Sequence, residues 1–168
     1  MTERTDLLQS LRRHRGFLLQ TVEGLDDTAA RRRSTVSELT LASLLKHVAD
    51  TEHGWAQFVV DGPAALGGDV DVSSFDPATF VDDRFVLTDD DTLDALRERY
   101  SAVAAETDQL VTSVDLDAEQ PLPRAPWFEP GASWSARRVV LHIIAETAQH
   151  AGHADIIREA IDGAKTMG

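Results

Sequence analysis

Apolar positions recur along the chain at helical spacing, and no stretch alternates with the period of two that a half-buried strand would need. A first helix is predicted from Thr5 to Glu23. Leu8, Leu11, Leu18, Leu19 and Val22 share its face, with Thr2 or Thr5 as cap and Gly24 as stop. A second runs from Thr40 to Val60, with Leu41, Leu44, Leu45, Val48, Trp55, Phe58 and Val59 inward, and is closed by Asp61-Gly-Pro. A third begins near the acidic run at Thr88 and carries Leu93, Leu96, Tyr100, Val103 and Leu110. A fourth starts near Ser133 or Ser135 and runs to Ile161, with Gly163 behind it.

Between them lie two irregular stretches. Residues 61–88 hold Gly-rich and Asp-rich turns with scattered Phe75, Phe80 and Phe85. Residues 117–132 are interrupted by Pro121, Pro123, Pro126 and Pro130, too broken for regular structure. A loop as long as the first is usually functional or mobile. No internal repeat stands out. The expectation is an all-α four-helix bundle with long crossover loops, one domain over residues 1–168.

Charge narrows the function. With 16 Lys and Arg against 29 Asp and Glu, the net charge of −13 opposes a nucleic acid or an anionic membrane surface. No apolar run is long enough to span a bilayer, and the N-terminus lacks a signal-peptide layout, so a cytoplasmic protein is expected. The chain has no cysteine. Disulfides, thiolate ligands and a cysteine nucleophile are thereby excluded together.

The fourth helix departs from simple amphipathicity. Val139, Ile143, Ile157 and Ile161 mark its core side, and His142, Glu146, His150 and His153 form a stripe at spacings of four, four and three that overlaps it. Unpartnered imidazoles and carboxylates are costly to bury, so such groups end up hydrogen-bonded, paired or on a metal. Glu146 and His150, four apart, can reach one ion from one helix, and His47 on the second helix can point inward to join them. Two His and one carboxylate leave a coordination position open, as in a catalytic site, and suit Zn foremost, with Ni, Fe or Mn as alternatives. A lone inward His is more often a core residue bonded to a carbonyl, and spacing alone does not choose among His142, His150 and His153.

Two segments, Leu39–Phe58 (LTLASLLKHVADTEHGWAQF) and Ser133–Gly163 (SWSARRVVLHIIAETAQHAGHADIIREAIDG), resemble the DinB-like superfamily of four-helix metal-binding bundles. The likeness extends loosely over the chain, including His14–Arg33, and points to an actinobacterial branch related to mycothiol-dependent maleylpyruvate isomerase. Typical members carry one metal-binding His on the second helix and a His-x-x-x-His pair on the last, followed by Arg-Gly-Gln. His47 matches the first, whereas the pair here reads Glu146-x-x-x-His150 followed by Ala-Gly-His. The isomerase also uses His, Glu and His at these places. The resemblance therefore implies the metal ligands His47, Glu146 and His150, with His153 as candidate for proton transfer and His142 as a supporting or merely buried residue. It also implies a homodimer.

Other residues admit two readings. Trp55, Phe58 and Trp134 are packing residues or the wall of a pocket above the metal. Glu52 orients a ligand imidazole or pairs with an Arg across the bundle. Arg31-Arg32-Arg33 is a solvated run or holds a carboxylate, and His14 points at the bundle centre or does not. Two function classes follow. In the first, the protein is an enzyme whose divalent metal lowers the pKa of a small-molecule thiol, mycothiol by resemblance, for S-transfer to an electrophile or for isomerisation; water activation is a variant. In the second, it is a non-catalytic metal-binding or stress-related dimeric bundle whose metal is incidental or absent, favoured by the lack of a second polar cluster to recognise a substrate.

Overall fold

The computed structural model describes residues 2–70 and 83–166. Phe75 and Phe80 of the long loop lie outside them. The architecture is an all-α, DinB-like bundle of four long helices: α1 (Glu3–Gln20), α3 (Leu41–Asp61), α4 (Leu93–Ser113) and α5 (Ala136–Asp162). A short α2 (Asp27–Ala30) and a 3₁₀ turn (Gly62–Leu66) were not foreseen from the periodicity, since both are shorter than the pattern can resolve. Around the bundle α1 packs on α5, α5 on α3, α3 on α4, and α4 on α1. No described helix is long and apolar enough to cross a membrane.

Hydroxyl caps set the helix starts. Thr2 accepts from the Thr5 backbone N–H, Thr92 from Ala95 and Ser135 from Arg138. Thr40 and Ser43 form a reciprocal capping box at the start of α3. The third long helix therefore begins at Thr92 and not at Thr88. The Asp91 carboxylate instead accepts from the Thr88 backbone N–H at 2.7 Å and closes a turn ahead of the helix. Gly163 ends α5 in the left-handed conformation.

The proline-rich stretch does contain regular structure. Glu119–Pro121 (β1) pairs antiparallel with Ser133–Ser135 (β2), opposing Gln120 to Trp134. Only the two ends of the segment pair, so each strand is three residues long and leaves no periodic signal. Gly62 anchors this ribbon to α3. Its φ of +72° is open to glycine, and a Cβ there would meet the Gln120 side chain at 3.1 Å.

The inward faces differ in detail from a purely apolar stripe. On α1 the buried residues are Leu7, Leu11, Arg15 and Leu18, so Leu7 takes the place expected for Leu8 and an arginine sits mid-stripe. On α4 Val111 is buried rather than Leu110, behind Thr107. The core accordingly splits in two. One half gathers Leu18, Val22, Leu41, Leu44, Leu45, Val48 and Ile157, and the other Leu7, Leu11, Trp55, Phe58, Val139 and Ile143. Between them lies a polar waist of Arg15, Glu52, Thr107 and Thr147.

Arg15 spans this waist. Its Nε donates to Glu52 Oε2 at 3.1 Å, Nη2 donates to Glu52 Oε1, and Nη1 donates to Asp108 Oδ1 at 2.8 Å. Burial opposes the guanidinium charge, but Glu52 and Asp108 more than offset it, and its pKa lies above the ordinary arginine value. Burial raises the Tyr100 phenol far above its usual range, with the Glu52 charge adding to the effect, so it stays protonated.

Removing one partner of such a pair strands a buried charge, which costs about 3–5 kcal/mol. Arg15→Met should lower unfolding stability by about that much in urea titration. Arg15→Met combined with Glu52→Leu should lose less than Arg15→Met alone. An equal or greater loss in the double variant would show that packing, not the stranded charge, sets the cost.

Candidate metal centre

On α3, His47, Asp50, Thr51, Gly54 and Trp55 fall at i, i+3, i+4, i+7 and i+8, one helical stripe. They line a cavity of about 500 Å³ together with His142 and Glu146 from α5. Arg84, Trp127, Phe128 and Trp134 from the crossover segments complete much of its wall. Tertiary packing thus brings the second-helix histidine to the polar stripe of the last helix.

His47, Glu146 and His150 converge. One ligand atom from each lies within 4.8 Å of the others. The His47 and His150 rings meet edge to face at 4.8 Å, and His150 Nε2 stands 3.7 Å from Glu146 Oε2. Both imidazoles are buried and the carboxylate is half-buried, open to the cavity. The donor set fits a divalent cation on its own chemistry: two imidazoles and one carboxylate on two helices, with the other described ionic partner of Glu146 a further imidazole, His142, at 3.9 Å.

Neighbours fix both candidate imidazoles. Phe85 stacks on His47 at 4.2 Å, and Thr51 Oγ1 lies 3.4 Å from His47 Nε2. His153 Nδ1 meets His150 Nδ1 at 3.5 Å, on the ring nitrogen opposite the one that faces Glu146. His153 is not among the residues lining the cavity, whereas His142 is. His142 also packs edge-on against Trp55 at 4.8 Å and Trp134 at 5.1 Å.

The remaining candidates sort by contact. Glu52 pairs with Arg15 across the bundle, the second of its two readings. Arg31 donates to the Thr88 and Asp91 carbonyls and Arg32 to that of Ile161, while Arg33 pairs with Glu38, so the arginine run ties loop and helix ends together. His14 packs on Phe17, apart from the cluster. Trp55 and Trp134 wall the cavity and Phe58 belongs to the core. Sequence reasoning missed Arg84, Trp127 and Phe128, which stand on irregular segments where spacing carries no facing information.

Burial is the main cause that holds the His142 and His150 pKa values below the ordinary 6.5, partly countered by the Glu146 charge. Both rings are therefore neutral at pH 7, the form that ligates a metal. A depressed histidine pKa means that the unfolded chain binds more protons than the fold below the ordinary value. The metal-free protein should thus keep this stability above pH 6.5 and lose it as the pH falls below. A Tm series on chelator-treated protein should decline across that window, and less steeply in a His142→Asn, His150→Asn variant.

A crystal structure described as a conserved protein of locus from Enterococcus faecalis has the same fold, with a TM-score of 0.69 at 14% identity over 98% of this chain and 99% of that one. No curated protein matches the sequence. The mycothiol-S-transferase family model matches residues 6–163, which takes in all four bundle helices from early in α1 to the Gly163 stop, together with His47, Glu146 and His150. The chain belongs to the mycothiol-S-transferase family.

Proposed function

We propose that the protein transfers the sulfur of a small-molecule thiol, of the mycothiol type, to an electrophilic carbon, with a divalent cation held by His47, Glu146 and His150. The single observation that carries this reading is the convergence of those three side chains, with His47 and Glu146 on the wall of a cavity large enough for reactants. A bundle with no such cavity would favour a non-catalytic role.

A cation bound there would lower the pKa of a thiol brought to it, with Zn the first candidate for the His and Glu donor set. The nucleophile must arrive from outside, because the chain has no cysteine. The reaction balances as R–SH + R′–X → R–S–R′ + HX. The sulfur lone pair forms the S–C bond, the C–X pair leaves on X, and the thiol proton is released.

The chain's own part is to hold and orient. Glu146 is set between His142 and His150, one imidazole toward each oxygen. His153 acts in this reading at Nδ1 of His150, so any proton it handles would pass through that ring. Phe85 and the α3 stripe keep solvent from the His47 face.

Protein purified without a His-tag should contain near-stoichiometric divalent metal by mass spectrometry, lost in His150→Ala. It should consume mycothiol with iodoacetamide above the uncatalysed rate, and His150→Ala should not. His153→Ala should keep the site but weaken metal affinity by about 10–100-fold, as expected for a residue that orients a ligand imidazole. Absence of metal, with no uptake of Zn or Ni, would overturn the reading.

A further inference from the structure

Tryptophan is rare in this chain, with three in 168 residues, and all three border one cavity. Trp55 comes from α3, Trp134 from β2, and Trp127 from the connection between the two strands. Trp55 and Trp134 stack at 4.8 Å with only 14° between their planes. Phe128 meets both edge-on, at 6.3 Å and 6.1 Å, and the Arg138 guanidinium lies over the Trp134 ring at 4.4 Å. The wall is therefore locked by ring-to-ring contacts before any ligand arrives. Trp127, beside Phe128 at 6.3 Å, is 57% exposed, which leaves a large apolar ring in water at the edge of this wall.

The aromatic wall begins one side chain from the metal ligands. His142 touches both Trp55 and Trp134, and its Nε2 stands 3.9 Å from Glu146 Oε1. Most polar lining residues are already engaged: Thr51 with His47, His142 with Glu146, Arg84 by charge with His150, and Asp50 with Lys46 and Arg99. The other lining residues, Leu66, Val70, Pro123 and Ala125, have no side-chain hydrogen-bonding group. A polyhydroxylated group would find few partners there, and leaving its hydroxyls unpaired would be costly. A flat apolar ring satisfies the surface instead.

We infer that the wall of Trp55, Trp127, Phe128 and Trp134 is a subsite for a planar, uncharged aromatic group on the electrophile, placed next to the centre where the thiol is held. This rests on the thiol-transfer reading for the identity of the reactant, but the subsite itself is a binding property that can be measured without turnover. Two carboxylates, Asp50 and Glu146, and one guanidinium, Arg84, share the lining, so an anionic ring gains no clear charge match. The polar part of the thiol is left to the ligand side of the cavity, and the reacting carbon of the electrophile lies between.

The probes are 2-naphthol, its saturated counterpart decahydro-2-naphthol, and myo-inositol, each titrated calorimetrically into the full chain. We expect 2-naphthol to bind about tenfold tighter than the saturated alcohol, the difference aromatic contacts supply beyond area burial. Inositol should show no competing binding. Trp127→Ala, at an exposed position, should weaken 2-naphthol about tenfold while leaving metal content unchanged, and Phe128→Leu should act in the same direction. Equal affinity for the flat and saturated rings would overturn the inference, as would binding of inositol at comparable strength or an unchanged affinity in both variants. His150→Ala separates the two readings. If it retains 2-naphthol binding while thiol transfer is absent even from the wild type, the subsite stands and the thiol-transfer reading fails. If the wild type transfers thiol but does not discriminate the rings, the reverse holds.

Discussion

The pair that Arg15 and Glu52 make across the middle of the bundle constrains everything around it. A guanidinium and a carboxylate this far from water persist only if nearly every hydrogen-bonding direction is used, and Asp108 supplies the further acceptor. Those bonds leave α1, α3 and α4 little freedom to rotate or slide. Glu52 and His47 are five residues apart, about 140° around the helix at 3.6 residues per turn. With Glu52 directed at α1, His47 is turned toward α5. The polar waist thus stabilises a particular rotation of α3, and that rotation presents a histidine, a threonine and a tryptophan to the cavity on one stripe.

The candidate centre sits where this waist reaches the α3–α5 seam. Glu146 precedes the buried Thr147 and His150 follows it by less than one turn, so the waist and the centre occupy the same level of the bundle. Seam and interior differ in how their charge is matched. Inside, a carboxylate meets a guanidinium and is neutralised. At the seam the described ionic partners of the Glu146 carboxylate are imidazoles held neutral by burial, a mismatch that a divalent cation would remove. Around the cavity the division of labour is similar. Helices provide the candidate ligands, and the segments joining them provide most of the aromatic surface and one arginine.

The long helices, the Thr2 cap of α1 and the polar stripe on α5 were legible in the sequence because each is a short-range property. Spacing at 3.6 residues places Val139, Ile143 and Ile157 on one face. A hydroxyl one residue ahead of a helix closes its first turn wherever that helix lies. The resemblance of Leu39–Phe58 and Ser133–Gly163 to metal-binding bundles singled out His47, Glu146 and His150, and these are the residues whose ligand atoms come within 4.8 Å. The lack of cysteine settled from the sequence alone that any thiol at the site would come from outside the chain.

Tertiary structure decided the rest. Arg15 reads as an interruption of an apolar stripe until Glu52 and Asp108 are seen around it, because the partners of a buried charge lie 37 and 93 residues away in the chain. His142 and His153 share one stripe, and spacing ranks them equally. Packing against Trp55 and Trp134 puts the first on the cavity, and contact with His150 Nδ1 puts the second behind a candidate ligand. Trp127, Phe128 and Arg84 lie in irregular segments, where side-chain direction follows no period and is set by what the loop packs against. Sequence determined which residue types were available and which helical face each occupied. Which faces met, and therefore which groups share a cavity, is a property of long-range packing that no local pattern encodes.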